Sequence, residues 1–341
     1  MKLQVTIIGA GVAGLCTALA LVRRGASVRM IDGGAPGHGA SWSAAGMLAP
    51  GYESATDSPD HPRLFDLLFD ARAFWRDWKS GLGSGADGIG YWNGPSIAIG
   101  LTAGQSSVFR RLVRHQRARR LEPREADHLG EIDPGAYDSA FWLAEDGQVD
   151  NRALVSVLVE TLKALGTTFE TRSVGEGKID PAQLACDVVV DARGWRSPGM
   201  TPVKGTALSL APDSRLPRCV VRWGRNYLVP KADRVVLGAH AMKGLSDTSV
   251  DDAIIGELME EGAELYPAIR DIEVLETWSG VRPRSADGAP VLGWASPGVF
   301  QVGGLYRDGV LLAPLLGEWA ARSILGEAAD PLAEAFDLSR F

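Results

Sequence analysis

The sequence predicts an interleaved fold of two domains that combines α/β and α+β architecture. A strand, a glycine-rich turn, a helix and a second strand open the chain, and the order of strand, glycine and helix returns near its end. Between them, short apolar runs separated by turn residues predict an antiparallel sheet. Because both ends carry one kind of unit, two lobes that exchange chain segments fit this pattern better than two sequential domains.

The opening unit, residues 1–50, has the pattern of a Rossmann-like dinucleotide-binding unit. An apolar strand precedes three spaced glycines, and an amphipathic helix follows them. Gly9 permits a tight turn, Gly11 lets a pyrophosphate approach the backbone, and Gly14 lets the helix pack closely on the strand. Asp32 ends the second strand, where its carboxylate can accept hydrogen bonds from a ribose. The N-terminus of the helix favours the phosphates of the same ligand.

The next segments predict a loop and two helices. Residues 33–50 are rich in small side chains, which let a backbone lie against a flat ligand or pack tightly as a loop. Residues 61–79 carry one apolar stripe that is typical of a core helix. Residues 104–119 predict a helix with a concentration of arginines between Arg110 and Arg120. Such a run is typical of a solvated helix face, and an anion or RNA patch is the alternative.

A second place for an extended cofactor follows. Asp150 is a plausible N-cap for a helix over residues 152–165. After a short strand, residues 184–191 predict a buried strand that runs into the small-residue turn 192–197. A buried strand that ends in such a turn offers a further surface for a cofactor.

The remaining elements complete the two predicted lobes. Short strands are predicted at residues 204–210, 218–223, 227–230, 234–239, 274–279 and 299–302. A helix over 251–266 lies among them, and residues 280–293 return to loop chemistry. The chain ends with an apolar helix over 310–325, and Pro314 is expected in its first turn.

Composition narrows the classes of function. The 341 residues, 45% of them hydrophobic, are enough for a large core and two lobes. A net charge of −7 disfavours nucleic acid or an anionic membrane as a partner of the whole chain. The three cysteines and five histidines are scattered, so we expect no metal, no disulfide framework and a cytoplasmic location. No apolar run of about 18 residues predicts a membrane span.

Four motifs resemble the glycine oxidase (thiazole-biosynthesis) branch of the D-amino acid oxidase superfamily of flavoenzymes. The first is residues 9–14 with Asp32, which many nucleotide enzymes share. The second is residues 39–50, Gly-Ala-Ser-Trp-Ser-Ala-Ala-Gly-Met-Leu-Ala-Pro. The third is residues 280–293, which contain Gly-Val-Arg-Pro and Asp-Gly-Ala-Pro-Val-Leu-Gly, and the fourth is residues 306–314. The second and fourth motifs are the specific ones, and the resemblance runs nearly from end to end.

The resemblance implies non-covalently bound FAD. It assigns the substrate pocket to Tyr227, Met242, Arg282 and Arg307, with the substrate carboxylate on Arg282 and the tyrosine assisting. It assigns the cofactor to Gly9, Gly11, Val12, Ala13, Gly14, Asp32, Ser41, Ala44, Ala45, Gly46, Met47, Val174, Gly194, Gly304, Tyr306, Arg307, Asp308, Gly309, Val310 and Leu311. The branch often has a histidine before the Tyr-Arg pair, where this chain has Leu305, and that departure bears on the substrate. No cysteine lies near Arg307, so a covalent flavin link is not expected.

The roles of these residues also have a physical basis. A guanidinium fork holds a carboxylate by two parallel charge-assisted hydrogen bonds, which fixes the orientation of an amino acid. Such positioning is most of what the protein must supply, because the cofactor carries the electronic chemistry. A helix N-terminus near residues 309–314 would stabilise the negative charge that develops on the flavin.

The expected function is FAD-dependent oxidative deamination of glycine or a similar small amine or D-amino acid. A hydride passes from the α-carbon to flavin N5, the imine hydrolyses, and oxygen is the expected acceptor. A D-amino acid dehydrogenase with another acceptor, a tRNA-modification oxidase domain and a redox-silent FAD-binding protein are the alternatives. The expected partners are the small-molecule substrate and oxygen, without nucleic acid or membrane, and a homo-oligomer stays open.

The domain boundaries follow from the same pattern. We expect residues 1–50, 140–205 and 285–341 to form a discontinuous FAD-binding domain. Residues 51–139 and 206–284 are expected to form the substrate-binding domain.

Overall fold

Most of the strands lie in two large sheets. The computed structural model describes residues 2–56, 61–175, 177 and 179–341. The strands are β1 Gln4–Ile8, β2 Ser27–Asp32, β3 Met47–Leu48, β4 Ser96–Gly100, β5 Arg119–Arg120, β6 Ser139–Leu143, β7 Gly147–Gln148, β8 Thr168–Thr171, β9 Val188–Asp191, β10 Thr201–Leu210, β11 Val220–Trp223, β12 Asn226–Pro230, β13 Val235–Lys243, β14 Val274–Arg284, β15 Val291–Ser296 and β16 Val299–Gly303. The α-helices are α1 Val12–Arg23, α2 Ala40–Ser43, α3 Pro50–Thr56, α4 Leu64–Trp78, α5 Ala103–Ser107, α6 Arg110–Arg114, α7 Asn151–Ala164, α8 Asp252–Leu265, α9 Gly309–Ile324 and α10 Pro331–Glu334.

The first sheet has six strands in the order β15-β16-β9-β1-β2-β8. From β16 to β8 the neighbouring strands are parallel, and only the edge strand β15 is antiparallel to its neighbour. The helices α1, α4, α7 and α9 contribute to its hydrophobic core. A parallel sheet needs such cover, because its strands are apolar on both faces.

The second sheet has eight strands in the order β14-β10-β13-β12-β11-β4-β6-β5. Its pairs are antiparallel except for β11 with β4, which are parallel. The strands predicted within residues 204–239 pair antiparallel as expected, and the parallel pair arises where the earlier strand β4 joins the same sheet. More than a hundred residues of chain separate β4 from β11, so no hairpin forces them to be antiparallel.

The two sheets exchange chain segments, which confirms the interleaved fold class. The first sheet takes strands from residues 4–32, 168–191 and 291–303, and the second takes strands from 96–143 and 201–284. The domain boundaries themselves stay a prediction. Within the predicted range 140–205, however, β6 and the start of β10 pair in the eight-stranded sheet rather than with the six-stranded one.

The turn between β1 and α1 depends on two glycines. Gly9 has φ 108°, and a Cβ on it would lie 2.2 Å from the carbonyl oxygen of Ala192 in the loop after β9. A Cβ on Gly14 would lie 2.0 Å from the carbonyl oxygen of Gly9. The loops after β1 and β9 and the first turn of α1 therefore approach one another to backbone contact.

Two predicted helices differ in detail. The predicted helix 104–119 is two short helices, α5 and α6, and the chain leaves the helical region at Gln116 with φ 55°. The side chains of Ser106 and Ser107 bond to Asp138 and to the backbone of Gly104, which competes with a continuous helix. Pro314 lies inside α9 rather than in its first turn. The carbonyl of Val310, which Pro314 cannot reach with an N–H group, accepts a hydrogen bond from the indole of the buried Trp75 at 3.2 Å.

The loop predicted over residues 280–293 is a strand in its first part. β14 continues to Arg284 and pairs with β10 as far as Thr201. Pro283 fits there because β14 is an edge strand, where a missing N–H group costs no ladder hydrogen bond. This extension places Arg282 on a strand instead of a loop.

None of the helices in the described part of the chain combines the length and the apolar character needed to cross a membrane. The described residues also contain no group of three or more His, Cys, Asp and Glu side chains that could hold a metal ion.

Replacing Gly14 by alanine is expected to lower the free energy of unfolding by about 1–3 kcal/mol, because the new Cβ meets the Gly9 carbonyl. The matched control is Gly256→Ala in α8, where a Cβ has open space. That change should raise the free energy of unfolding by about 0.5–1 kcal/mol, because alanine favours a helix. Urea unfolding measures both variants, and a Gly14→Ala protein as stable as the parent would contradict the close approach.

Candidate functional site

A cavity of about 410 Å³ runs from the β1–α1 turn to the eight-stranded sheet. One end is lined by Gly9, Gly11 and Asp32, and the other by Tyr227 and Arg282. The first end lies where the carboxyl ends of parallel strands meet, which is the usual place for a ligand in such sheets. One cavity therefore joins the predicted nucleotide site to the predicted substrate site.

Asp32 is fixed at the nucleotide end by backbone donors. Its carboxylate accepts hydrogen bonds from the N–H groups of Ala10 at 2.7 Å and Gly34 at 2.9 Å. The two contacts use different oxygens, so each oxygen keeps a lone pair for a ribose hydroxyl. The acid at the end of β2 thus tightens the glycine turn and also faces the cavity.

The small-residue segment 41–47 is held on both sides. The Ser41 hydroxyl accepts a hydrogen bond from the Val12 N–H at 2.9 Å, at the start of α1. The Asn151 amide donates to the carbonyls of Ser41 and Trp42 at 2.8 and 3.0 Å. The Trp278 indole donates to the Ser43 carbonyl at 3.0 Å. These contacts give the cavity a rigid wall of backbone and small side chains.

Arg282 lies over a glycine on the neighbouring strand. β10 and β14 pair so that Gly205 faces Gly280, and a Cβ on Gly205 would lie 2.2 Å from a terminal nitrogen of Arg282. Glycine on β10 therefore leaves the space that the guanidinium occupies. Among the residues that the structure describes, no carboxylate forms an ion pair with Arg282. A cationic side chain in a cavity without an anionic partner is typical of an anion-binding site.

Tyr227 stands beside this guanidinium. It is buried on β12, and a Cβ on Gly238 of β13 would lie 2.5 Å from its hydroxyl. Burial raises the pKa of the Tyr227 phenol, and the nearby Arg282 and Arg307 guanidinium groups oppose that shift. The phenol is therefore protonated near neutral pH and can donate a hydrogen bond to an anion that Arg282 holds.

Glu53 connects two further arginines at the cavity wall. Its carboxylate lies 2.5 Å from a nitrogen of Arg222 and 3.3 Å from Nε of Arg307. Arg222 is only 1% exposed, and its guanidinium lies 3.8 Å from the centre of the Tyr52 ring. The single Glu53 carboxylate thus lies close to two guanidinium groups, and its ion pair with Arg307 holds that side chain next to the cavity.

Most positions assigned to the cofactor by resemblance do line the cavity. They are Gly9, Gly11, Val12, Ala13, Asp32, Ser41, Ala44, Ala45, Gly46, Met47, Gly194, Tyr306, Arg307, Gly309 and Val310. Gly14, Val174, Gly304, Asp308 and Leu311 do not. Gly14 packs against Gly9 and Leu311 is buried in the core of the six-stranded sheet, so we interpret both as structural.

Met242 is the substrate-pocket position that the structure does not bring to the cavity. It lies on β13 between Ala241 and Lys243. Its side chain packs against the hydrophobic core on the face of the eight-stranded sheet that is opposite to the cavity. Because side chains alternate along a strand, the cavity is lined instead by Ala239 and Ala241. The structure thus places Met242 outside this cavity, and its role in the substrate pocket stays a prediction.

Several residues at the cavity are missing from the sequence prediction. They include Glu53, Arg225, Ser246 and Thr248. An acid inside a short helix and two hydroxyls in a polar loop carry no pattern that distinguishes them from surface residues. Leu305, in contrast, was identified from the fourth motif, and it lines the cavity as a buried side chain.

Several arginines of the run between Arg110 and Arg120 make contacts with other residues of the protein. Arg111 and Arg117 lie over the rings of Phe65 and Phe69, at 4.6 and 4.4 Å from the ring centres. Arg117 also pairs with Glu145, and Arg119 pairs with Glu125. These contacts favour the interpretation of a packed and solvated face over that of an RNA patch.

The residues present fit FAD at this site. The turn carries no side chain at Gly9 or Gly14, because a Cβ at either position would collide with backbone atoms. Asp32 has free lone pairs at the same end of the cavity. The N-terminus of α9 lines the cavity through Gly309 and Val310, where its dipole favours negative charge. The cavity also reaches Arg282, so a bound flavin and an anionic substrate can meet within it.

Comparisons with known proteins give matches over nearly the whole chain. The model of the family described as FAD dependent oxidoreductase (DAO) matches residues 4–323. The bifunctional protein ThiO/ThiG of Nostoc sp. is 31% identical over 372 residues, which cover all of this chain and 55% of that protein. The chain thus spans about half the length of that relative. Glycine oxidase of Geobacillus kaustophilus is 29% identical over 379 residues, which cover all of this chain and 96% of the enzyme.

Solved structures show the same architecture. The crystal structure of glycine oxidase from Geobacillus kaustophilus has a TM-score of 0.89 and 28% identity, with complete coverage of both chains. The crystal structure of L-proline dehydrogenase from P. horikoshii has a TM-score of 0.83 and 18% identity, and covers all of this chain and 98% of that one. The second likeness is one of fold alone, so the substrate has to be argued from the site.

Asp146 supports α3 and gives the site a pH-dependent element. Its carboxylate accepts hydrogen bonds from the Gly51 N–H at 2.9 Å and from the Ser96 hydroxyl at 2.5 Å. Burial raises the pKa of Asp146 to about 6, from an ordinary value of 3.8. The folded protein therefore binds a proton between these values that the unfolded chain does not bind.

Asp146→Asn is expected to change the pH dependence of stability. In the parent, the Asp146 contribution to the free energy of unfolding should rise as the pH falls from about 7 to about 4, because the folded state takes up the proton. The amide oxygen can accept from the Gly51 N–H, and the amide nitrogen can donate to the Ser96 hydroxyl oxygen. Because the amide carries no charge, the variant should lose this rise and be more stable at pH 8. The control is Asp77→Asn, at an exposed position on α4, which should keep the parental slope. Urea unfolding from pH 4 to pH 8 tests it, and an unchanged slope in Asp146→Asn would contradict the assignment.

Proposed function

Because this chain belongs to the DAO family of FAD-dependent oxidoreductases, we propose that it oxidises the α-amine of glycine or a similarly small amino acid. The single observation that carries the proposal is the Arg282 guanidinium, which faces the cavity beside the Tyr227 hydroxyl and has no carboxylate partner among the described residues. A small amino acid supplies the missing carboxylate. The glycine oxidases among the similar proteins support the same substrate class.

The protein's own part in the reaction is to hold and orient the substrate. The Arg282 guanidinium binds the carboxylate by two parallel hydrogen bonds, and the Tyr227 phenol donates a third. These contacts hold the α-carbon in one orientation, and this lowers the entropic part of the activation barrier for the reaction with the cofactor. FAD supplies the acceptor for the hydride that leaves the α-carbon. The resulting imine takes up water and gives an α-oxo acid and ammonia, or a primary amine when the nitrogen carries an alkyl group.

The electron acceptor and the binding mode of FAD are parts of the same proposal. We propose oxygen as the acceptor, in line with the oxidases among the relatives. Peroxide release in air would distinguish it from a quinone or protein acceptor. None of the free cysteines Cys16, Cys186 and Cys219 lines the cavity, which supports non-covalent FAD.

Arg282→Met is expected to lower kcat/KM for the amino acid by at least about 100-fold, mainly through KM, because two charge-assisted hydrogen bonds to the carboxylate are lost. Tyr227→Phe should lower it by about tenfold. The matched control is Arg225→Met, which removes a cavity-wall arginine that is already paired with Glu261 at 2.7 Å. Its kcat/KM should stay within about threefold of the parent. Equal losses in Arg282→Met and Arg225→Met would contradict the assigned role of Arg282.

A further inference from the structure

Residues 244–250, here called the strap, follow β13 and run along the cavity as exposed, irregular chain. Successive side chains of the strap face different surroundings. Ser246 and Thr248 line the cavity. Asp247 and Ser249 instead accept hydrogen bonds from the ammonium group of Lys204, at 2.5 and 3.0 Å. One buried lysine thus holds the segment by two residues, and the residues before each of them face the cavity.

Lys204 is an unusual anchor because it is 4% exposed. A buried ammonium group is costly unless an anion and hydrogen bonds compensate it. Within the described chain, Asp247 is the carboxylate that pairs with Lys204. The hydrogen bond from Lys204 lowers the pKa of Asp247 to about 2, so the Asp247 carboxylate is ionised at neutral pH. The lysine therefore strongly favours the arrangement in which the strap covers it.

The strap borders the Arg282 end of the cavity. The Gly244 N–H donates to the carbonyl of Pro202 at 2.8 Å, at the start of β10. Lys204 directly precedes Gly205, over which the Arg282 guanidinium lies. On β13, Ala241 is paired with Gly205 and is exposed to the cavity. Because the Ala241 side chain is only a methyl group, it leaves room between the Arg282 guanidinium and the strap.

The two cavity-facing hydroxyls are available to a ligand. Neither Ser246 nor Thr248 makes a side-chain hydrogen bond to another residue in the described part of the chain. A hydroxyl can both donate and accept, so the pair suits a substituent that forms hydrogen bonds better than an alkyl group. The room beside Ala241 allows that substituent to be larger than the hydrogen of glycine.

We propose that the strap is the specificity wall of the amine site, that Ser246 and Thr248 select an amino acid with a small hydrogen-bonding substituent, and that Lys204 is the positioning residue that holds them there. This inference rests on the proposed function for the identity of the substrate. The holding of the strap by Lys204 can be measured independently of any reaction.

The first test measures the strap in the FAD-bound protein without substrate. Trypsin can cleave after the exposed Lys243, immediately before the strap. Lys204→Met and Asp247→Asn should each accelerate cleavage at this bond by at least about tenfold, because the strap is released. The control Asp252→Asn removes an exposed negative charge just beyond the strap, in the first turn of α8, and should leave the rate unchanged. Unchanged cleavage in both Lys204→Met and Asp247→Asn would overturn the positioning role.

The second test measures selectivity with a matched pair of substrates, D-serine and D-alanine, which differ by one hydroxyl. The parent should have the higher kcat/KM for D-serine, and Thr248→Val should lower the ratio of the D-serine to the D-alanine kcat/KM by about tenfold. Lys204→Met should lower the ratio as well, through KM rather than kcat. An unchanged ratio in Thr248→Val and Ser246→Ala would overturn the specificity role. If no amino acid reduces the flavin, the proposed function and the specificity role fail together, and trypsin cleavage still decides whether Lys204 holds the strap.

Discussion

The pairing of β10 with β14 is the constraint on which the site depends. Its register sets Gly205 opposite Gly280, and only a glycine on β10 leaves room for the guanidinium of Arg282 above the strand. The same strand carries Lys204, whose side chain holds the strap, so one strand supports two walls of the cavity. A shift of the register by one residue would move all these side chains to the opposite face of the sheet, and the site would not form.

The opposite wall depends on buried charge rather than on strand register. Glu53 lies between Arg222 and Arg307, and Asp146 holds the start of the helix that carries it. Opposite charges in a low-dielectric interior attract strongly, so the Glu53 carboxylate favours an arrangement in which both guanidinium groups stay close to it. The cavity thus lies between a sheet wall fixed by backbone hydrogen bonds and a helix wall fixed by ion pairs. Rigid walls of this kind suit a reaction whose main requirement is the orientation of a small substrate.

The sequence can indicate the nucleotide end of the site because the constraints there are local. Gly9, Gly14 and Asp32 act within one strand-turn-helix-strand unit, and their spacing alone indicates their positions. Arg282 was identified through a motif, although the pattern indicates a loop and the residue lies on a strand. Met242 lies on the face of β13 away from the cavity, and the sequence could not indicate this because the alternation of a strand indicates a face only when its register and bulges are known.

The strap and the Glu53 group could not be predicted for a different reason. Their members are ordinary polar residues in the sequence. They acquire a role in the site only because the fold brings distant segments into contact, as in the ion pair of Lys204 with Asp247. No periodicity or spacing within a single segment indicates such a long-range contact. The arginine run shows the converse, since a conspicuous local pattern is mostly absorbed by packing on Phe65 and Phe69 and by pairing with nearby acids.

Anaerobic reduction of the bound flavin by matched amines tests the role of Arg282 most directly. Glycine and sarcosine would be compared with methylamine and dimethylamine, which have the same amine groups without the carboxylate. We expect glycine or sarcosine to bleach the visible flavin spectrum, and the amines without a carboxylate to do so at least about 100-fold more slowly, because Arg282 has no anion to hold in them. Equal bleaching by both sets, or none by any carboxylate-bearing amine, would contradict the central claim that Arg282 selects and orients an amino acid.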